Sequence, residues 1–460
     1  MSPARALLSA AVAASLCATL AGCNGRSDAD PTPSPSTSLS SADPSSAGPS
    51  SAPQDIDVAV YGDAARLSAY RQIADAFTAQ HPDVRVTVHT APDADTAAAQ
   101  AIDALQLGAG PDVFLADQQN LPALVGTGGL QPVDHLLENR GLQFGDDHQR
   151  VALTSMSADS RLQCMPAEMS PLVVYLNTRL VPRHQLADSG VVVPHGVDMT
   201  WSWQDFTTTA RTVAGVDQLG PIKGVYLPPS IEDVTAFVRA AGGDVVDSDF
   251  EPTTLALGSD QALTAVDQLA TLARDPAVSL TRDDLKSQDA RDWFTSGDLG
   301  MYIGTRDDLP ALRAAKGLHF DVAPLPGMGR AGSVSDVNGY CINAATDHLG
   351  LAADFIAFAV GEDGARIAAR SNVIVPSRLD TIHEDAFLQP GEEPRNSQAF
   401  VTSIRRSEPM PYDTAWPRVS SMVEATVRRL FLNPNVDLDS VLETKLDRLD
   451  SRSQSMFDAG

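Results

Sequence analysis

Two polar clusters stand directly behind short apolar runs: Gly62-Asp63 after Ile56 to Tyr61, and Asp117-Gln118-Gln119 after Asp112 to Ala116. Carboxylates and planar amides of this kind hydrogen-bond to a polar solute, and a hydroxyl left unpaired beside them in a closed site costs free energy. Groups that would make or break bonds are harder to find. No P-loop, H-E-x-x-H or G-x-S-x-G string occurs, the 9 histidines show no i,i+4 pairing, and nothing nominates a nucleophile. No catalytic residue, metal site or cofactor is therefore expected. Gly327 to Gly332 spells G-x-G-x-x-G, but no helix follows it and Ser333 to Gly339 reads as loop, so it is a flexible turn rather than a dinucleotide site. The 59 acidic residues could include the acid/base pair of a hydrolase, although solvated surface carboxylates are the plainer explanation.

The chain has 460 residues, enough for two or three domain-sized units, and a formal charge of -26. Such an acidic surface excludes nucleic acid as a partner and disfavours adsorption to anionic lipid. After Arg5, an uncharged apolar run extends from Ala6 to Leu20, which suits the core of a secretory signal and is too short to span a bilayer. Leu20-Ala21-Gly22-Cys23 resembles the bacterial lipobox. Residues 1–22 would be a lipoprotein signal peptide and Cys23 would be diacylated, anchoring the chain on the outer face of the cell membrane. Residues 23–54 are rich in Ser and Pro with Leu39 as the only large apolar side chain, the composition of a disordered tether. Of the 4 cysteines, Cys17 leaves with the signal and Cys23 carries lipid. Cys164 and Cys341 remain, and an even pair in an exported chain favours a disulfide over two buried thiols. It would close a loop worth roughly 5 kcal/mol in the chain-entropy view.

The elements that must position the polar clusters alternate. Ile56 to Tyr61 reads as a strand; Leu67, Tyr70, Ile73, Ala74 and Phe77 share a helical face; Val84, Val86 and Val88 alternate as a second strand. A helix from Thr96 to Leu107 leads to a third strand, Asp112 to Ala116, and to another helix that stops at Gly128-Gly129. This order predicts an α/β protein with a parallel sheet covered by helices on both faces. In open sheets of that type, ligands sit beyond the carboxyl ends of the strands, where Asp63 and Asp117 fall. Further helices are expected from Ser202 as a capping box, over Ile231 to Ala241, over Gln261 to Arg274, and as a pair over Asp354 to Val360 and Gly364 to Arg370. No stretch after residue 54 is apolar enough to cross a membrane.

The order of motifs from residue 55 to about 430 resembles the extracellular solute-binding proteins of ABC importers, in the cluster that includes maltose and oligosaccharide binders. The resemblance rests on Gly110-Pro111-Asp112-Val113 ahead of Asp117, Met165-Pro166 with Leu172 to Asn177, Thr200-Trp201, and Gly242-Gly243-Asp244. It continues through Phe294-Thr295-Ser296-Gly297 with Met301-Tyr302-Ile303, Ala323-Pro324-Leu325-Pro326, Cys341-Ile342-Asn343, Ala353-Asp354-Phe355 and Val375-Pro376-Ser377-Arg378. It implies a two-lobe fold of the periplasmic-binding-protein type II, each lobe a sheet flanked by helices, with the ligand cleft between them. Lobe 1 would be residues 55–167 plus 344–395, lobe 2 residues 172–338 plus 396–460, with hinge crossovers near 164–172 and 338–344. Cys164 and Cys341 then map beside the crossovers.

By the same resemblance, Asp63, Asp117, Gln118 and Gln119 come to the cleft rim, Ser170 faces the ligand from a crossing strand, and Asn338 precedes the other crossover. Trp416 falls where maltose binders place a stacking aromatic; the alternative is a core tryptophan under the C-terminal helices. Where a second stacking tryptophan is usual, this chain has Gly304-Thr305-Arg306-Asp307, so a smaller or more polar ligand held by Arg306, Asp307 and other carboxylates becomes credible. Trp201, Trp203 and Trp293 read as structural. The resemblance implies a monomeric, non-enzymatic receptor that delivers a small solute, a sugar before others, to ABC permease subunits. A binder of a non-sugar solute, a ligand sensor and a secreted glycoside hydrolase are the alternatives.

Overall fold

The computed structural model describes residues 53–196, 200–215, 222–249, 251–411 and 413–459. The expected signal segment, Cys23 and the tether up to residue 52 lie outside the described residues.

Strand β1 (Gln54–Tyr61) leads into helix α1 (Ala64–Gln80), β2 (Val84–Ala91) into α2 (Ala94–Gln106), and β3 (Val113–Asp117) into a single 3-10 turn. β1 pairs in parallel with both β2 and β3, as the alternating pattern predicts. Both long helices start on an Asp that follows its strand: Asp63 accepts from the Arg66 N–H at 2.9 Å and Asp93 from the Thr96 N–H at 2.8 Å. Each cap satisfies an orphan donor and holds a carboxylate at the positive end of its helix. Acids thus collect at the carboxyl edge of the sheet.

β4 (Cys164–Pro171) lies in this sheet and continues past Leu172 into β5 (Val173–Asn177), the first strand of a second one. There follow α3 (Trp203–Ala214), which starts on the expected capping box of Ser202 and Asp205, β6 (Lys223–Tyr226), α4 (Ile231–Ala240), α5 (Asp260–Ala273), β7 (Leu299–Gly304) and β8 (Phe320–Pro324). The chain returns through β9 (Ser333–Asn343), then α6 (Leu349–Val360), α7 (Glu362–Arg370), β10 (Val375–Pro376), α8 (Asp385–Leu388) and α9 (Gln398–Arg406). Two long helices, α10 (Trp416–Leu432) and α11 (Leu438–Phe457), close the described chain. The larger sheet runs β10-β4-β9-β3-β1-β2, and the smaller β8-β5-β7-β6.

Two expectations need correction. The larger sheet is mixed, because β9 pairs antiparallel with both β3 and β4. Ser333 to Gly339 is a strand, not a loop: Ser333, Ser335, Asp336 and Asn338 make it polar, yet it is central in the sheet, where buried strands ordinarily read as apolar runs. No helix follows the glycine string, whose last residue is succeeded directly by this strand.

Two buried clusters form the core. One covers the larger sheet under α1, α6 and α7 and takes in Val173 and Tyr175 of β5; the other takes Val174 and Leu176 together with α3, α4, α5, α10 and α11. Because side chains alternate along a strand, β5 feeds both clusters, which is why its sequence shows no polar position among Val173 to Leu176. Phe400 of α9 joins the first cluster. Trp416 joins the second at 1% exposure.

Cys164 and Cys341 form a disulfide between directly opposed residues of β4 and β9, with their Cα atoms 4.3 Å apart. Both are fully buried, so the bridge lies inside the larger sheet.

Candidate functional site

A cavity of about 380 Å³ opens between the two sheets. Its polar lining comes from three places: the carboxyl edge of the larger sheet (Tyr61, Asp63, Arg66, Asp93, Asp117), the strands that connect the bodies (Ser170, Asp336, Asn338), and the turn after β7 (Thr305, Asp307).

Local chemistry sets each of these. Gly62 has φ of +131°, and a Cβ there would meet the Arg66 side chain at 2.6 Å. Glycine is therefore required for the turn that swings Asp63 onto the start of α1 and leaves room for the Arg66 stem. Asp117 caps the turn after β3, accepting from the Gln119 N–H at 2.7 Å. In the β4–β9 ladder Asp336 opposes Ser170 and Asn338 opposes Glu168. Period-two alternation sends all four side chains to one face. Thr305 and Asp308 form a capping box that fixes Asp307 on the opposite wall.

A buried ionic network holds the floor. Arg66 Nη1 donates to Glu168 Oε1 and Nη2 to Asp307 Oδ1, each at 2.5 Å, and Glu168 Oε1 also accepts from Tyr70 at 2.9 Å and from Asn338 Nδ2 at 2.6 Å. The Tyr61 hydroxyl donates to Asn338 Oδ1 at 2.6 Å. Burial opposes the charge of Arg66, but Glu168, Tyr70 and Asp307 outweigh it and keep the guanidinium firmly protonated. Three acids are pushed the other way. Burial, against the bond from Gln119, and then the charges of Asp95, Glu232 and Glu168 raise Asp117 to about 7. Burial raises Asp307 to about 6 despite Arg66, and burial with Asp117, Glu232 and Asp307 raises Asp336 well above the usual carboxylate range. Such groups accept hydrogen bonds from a polar solute, and when protonated can also donate them.

Asp63, Asp117, Ser170, Asp307 and Asn338, five of the residues singled out from sequence, meet in this cavity. Four do not line it. Gln118 is fully buried, and Gln119 contributes its backbone N–H to the Asp117 cap. Arg306 is 1% exposed, with its guanidinium 4.0 Å above the Phe387 ring and Nη2 donating to the Phe387 carbonyl at 2.9 Å, so it packs in the core instead of reaching a ligand. Trp416 has no open face on which a sugar could stack, and the core alternative is the one observed. Trp201 is structural as well: its Nε1 donates to the Pro324 carbonyl at 2.8 Å and its ring meets Phe206 edge-on.

Sequence reasoning missed Arg66, Asp93, Glu168 and Asp336. Asp93 carried a signal, since it follows β2 as Asp63 follows β1. Among the described residues no group of three or more His, Cys, Asp or Glu side chains could hold a metal ion.

Comparison with curated protein sequences returned no match. Among solved structures, an ABC substrate-binding protein from Listeria monocytogenes in complex with cycloalternan is 19% identical, with a TM-score of 0.73 over 88% of this chain and 99% of that one. A cyclic α-maltosyl-1,6-maltose binding protein from Arthrobacter globiformis is 16% identical, with a TM-score of 0.72 over 89% of this chain and 100% of that one. UgpB from Mycobacterium tuberculosis, in complex with glycerophosphocholine, is 18% identical, with a TM-score of 0.70 over 89% and 99%. Likeness at these identities is one of fold, and it is the two-lobe α/β fold. The model of a family described as bacterial extracellular solute-binding protein matches residues 72–389, well over half of the sequence. The chain belongs to that family.

Proposed function

We propose that this protein is a lipid-anchored receptor that captures a small hydroxylated solute, a sugar, between its lobes and delivers it chemically intact to the permease of an ABC importer. The observation that carries this reading is the cavity of about 380 Å³, lined from both bodies and from the strands joining them, in a member of an extracellular solute-binding family. The volume lies at the lower end of the roughly 300–1,000 Å³ typical of small-molecule sites. Its lining is dominated by hydrogen-bonding groups, and its one aromatic, Tyr61, has its hydroxyl committed to Asn338. That favours a compact polar ligand over a long oligosaccharide laid on aromatic faces. Two of the structural relatives are described with cyclic oligosaccharides, which supports a sugar. Glycerophosphocholine on a third supports a polar non-sugar solute as the second reading.

In this reading Asp63, Asp117, Ser170, Asp307 and Asn338 bind the solute, joined by Arg66, Asp93 and Asp336. Lobe 1 is built on residues 55–171 and 334–395, and lobe 2 on 173–324 and 396–460. The hinge is at Leu172 and in the return segment 325–333, earlier than 338–344, because Asn338 to Ile342 are laddered to β3 within the larger sheet. Closure brings the lobes together across the Arg66–Asp307 pair, which joins α1 to the turn after β7. Residues 1–22 are removed as a signal, Cys23 carries the lipid, residues 23–54 tether the body to the membrane, and the receptor works as a monomer without a cofactor.

A thermal-shift screen across mono- and oligosaccharides, polyols, amino acids and polyamines tests the reading, because a ligand at 100 times its Kd adds about 2.7 kcal/mol to the native state. A hydroxylated compound is expected to raise Tm and to reduce the radius of gyration in solution scattering. Turnover of a glycoside by the purified protein, or failure of every compound to raise Tm, overturns it.

A further inference from the structure

The charge of the cleft narrows the class of solute, on the premise that the cleft captures one. Five carboxylates, Asp63, Asp93, Asp117, Asp307 and Asp336, line it against one guanidinium, Arg66. Asp63 and Asp93 are engaged as helix caps, and Asp307 pairs with Arg66. Arg66 has nothing to spare, since its second terminal nitrogen is taken by Glu168. Asp117 keeps one backbone donor, from Gln119. The Oδ1 atom of Asp336 is shut off from solvent and meets no donor at all. Glu168, 1% exposed beneath Arg66 and Asn338, likewise leaves Oε2 without one. Glu232, in the first turn of α4 on the smaller-sheet body, adds its charge to both Asp117 and Asp336.

Acids of three origins, lobe 1, a connecting strand and lobe 2, thus crowd one another, and the one cation among the described lining residues, Arg66, is committed to Glu168 and Asp307. Desolvated carboxylates without a counter-charge are costly, and a cation brought in by the ligand relieves that cost. The described acids do not group in a way that could hold a metal ion, which leaves an organic cation. We propose that the captured solute carries an ammonium group seated between Asp117 and Asp336. The rest of its surface is hydroxylated, which makes it an amino sugar or an aminocyclitol.

The groups facing this pair are Asp95 on α2, Glu168 on β4, Glu232 on α4, Asp307 after β7, Tyr61 and Arg66. All but Arg66 are acids or a phenol, so ionisation of the pair is opposed until a cation arrives. Binding of an ammonium group then releases protons, and affinity rises from about pH 6 to about 7, through the range in which Asp117 ionises, until the amine of the ligand itself loses its proton at about 8.

Isothermal titration of the full chain with glucosamine, galactosamine and 2-deoxystreptamine, against glucose, galactose and myo-inositol, tests this. Each amine is expected to bind at least about tenfold tighter than its neutral counterpart, the scale of one charge-assisted hydrogen bond. Proton release should show as a difference in apparent enthalpy between two buffers of unlike ionisation heat. Asp336→Asn and Asp117→Asn, each with Tm measured to verify folding, are each expected to erase most of that preference. Neutral sugars that bind as tightly as the amines, or an Asp336→Asn protein that keeps the preference, overturn the charge assignment while solute capture stands. Absence of binding in both series overturns both.

Discussion

Arg306 and Asp307 are consecutive in the chain and enter opposite surroundings. Asp307 opens on the cavity and pairs with Arg66, whereas Arg306 is 1% exposed and stacks on Phe387, with Phe400 at 5.3 Å. Arg66 and Arg306 are therefore two buried guanidinium groups on either side of one turn, held in different ways. Two carboxylates neutralise Arg66, and it stays strongly protonated. Arg306 has no carboxylate, and burial brings it down to about 9. On the cavity floor, the guanidinium is matched by charge. In the apolar junction beside the cavity, the guanidinium acts as a flat plate with one bond to a carbonyl, and the cation–π contact offsets part of its desolvation.

The comparison breaks first at Arg66. Arg66→Met leaves Glu168 buried without its cation and is expected to cost about 3–5 kcal/mol in urea denaturation, the scale of halving a buried pair. A loss under about 1 kcal/mol would mean that the floor of the cleft is no more ionic than the junction. Next comes the disulfide, on the rigid side of the cavity. Replacing Cys164 and Cys341 by Ser is expected to cost about 2–4 kcal/mol. Because the bridge joins β4 to β9 within the larger sheet, ligand-induced compaction in solution scattering should be the same with and without it; a wider range of opening in the variant would show that it restrains the hinge. A smaller effect is expected at Arg306. Arg306→Met keeps the bulk and removes a desolvated charge, so stability should change by no more than about 1 kcal/mol and the Kd for the solute should stay within about twofold.

The same contrast explains what could be read from sequence. Asp63 and Asp117 were legible because strand, loop and helix in that order expose the carboxyl edge of a parallel sheet, whatever the rest of the chain does. Asp93 obeys the rule equally. Arg66 was not legible: beside Leu67 and Tyr70 it looks like a solvated helix position, and its partners Glu168 and Asp307 lie 102 and 241 residues away. Asp336 was hidden because the strand that carries it is polar and reads as a loop, and only its position between β3 and β4 makes it central. Trp416 and Arg306 failed in the opposite sense, since their residue types suit a ligand while their burial serves the core. The disulfide needed only a count of cysteines, but its place inside one sheet needed the register.

The smallest expected effect concerns pH, and it separates the cavity from the larger-sheet body behind it. Asp117 is raised to about 7, and Asp336 is likewise raised well above the 3.8 of an unperturbed carboxyl. A carboxyl whose folded pKa is raised contributes stability that is fully present below about pH 3.8 and is lost as pH climbs through the folded value. Asp307 follows the same sign, but solvent screens its half-exposed side chain and mutes the effect. His148 carries the opposite sign: burial and Arg378 lower it from 6.5 to about 4, so its contribution is present above pH 6.5 and is lost as pH falls through 4. Asp134, held at about 2 by Arg161, adds to the loss at the acid end. Without ligand, unfolding free energy should therefore decline between pH 6 and 8, by at most about 1 kcal/mol per unit once partial exposure of Asp117 is allowed for. Asp117→Asn should reduce that decline, with Asp233 of α4, likewise raised to about 7 by burial, keeping its own share, and should leave the acid limb, to which His148 and Asp134 contribute, where it was. An unchanged slope between pH 6 and 8 in the variant would place the titration elsewhere and remove the electrostatic distinction between the cavity and the rest of the molecule.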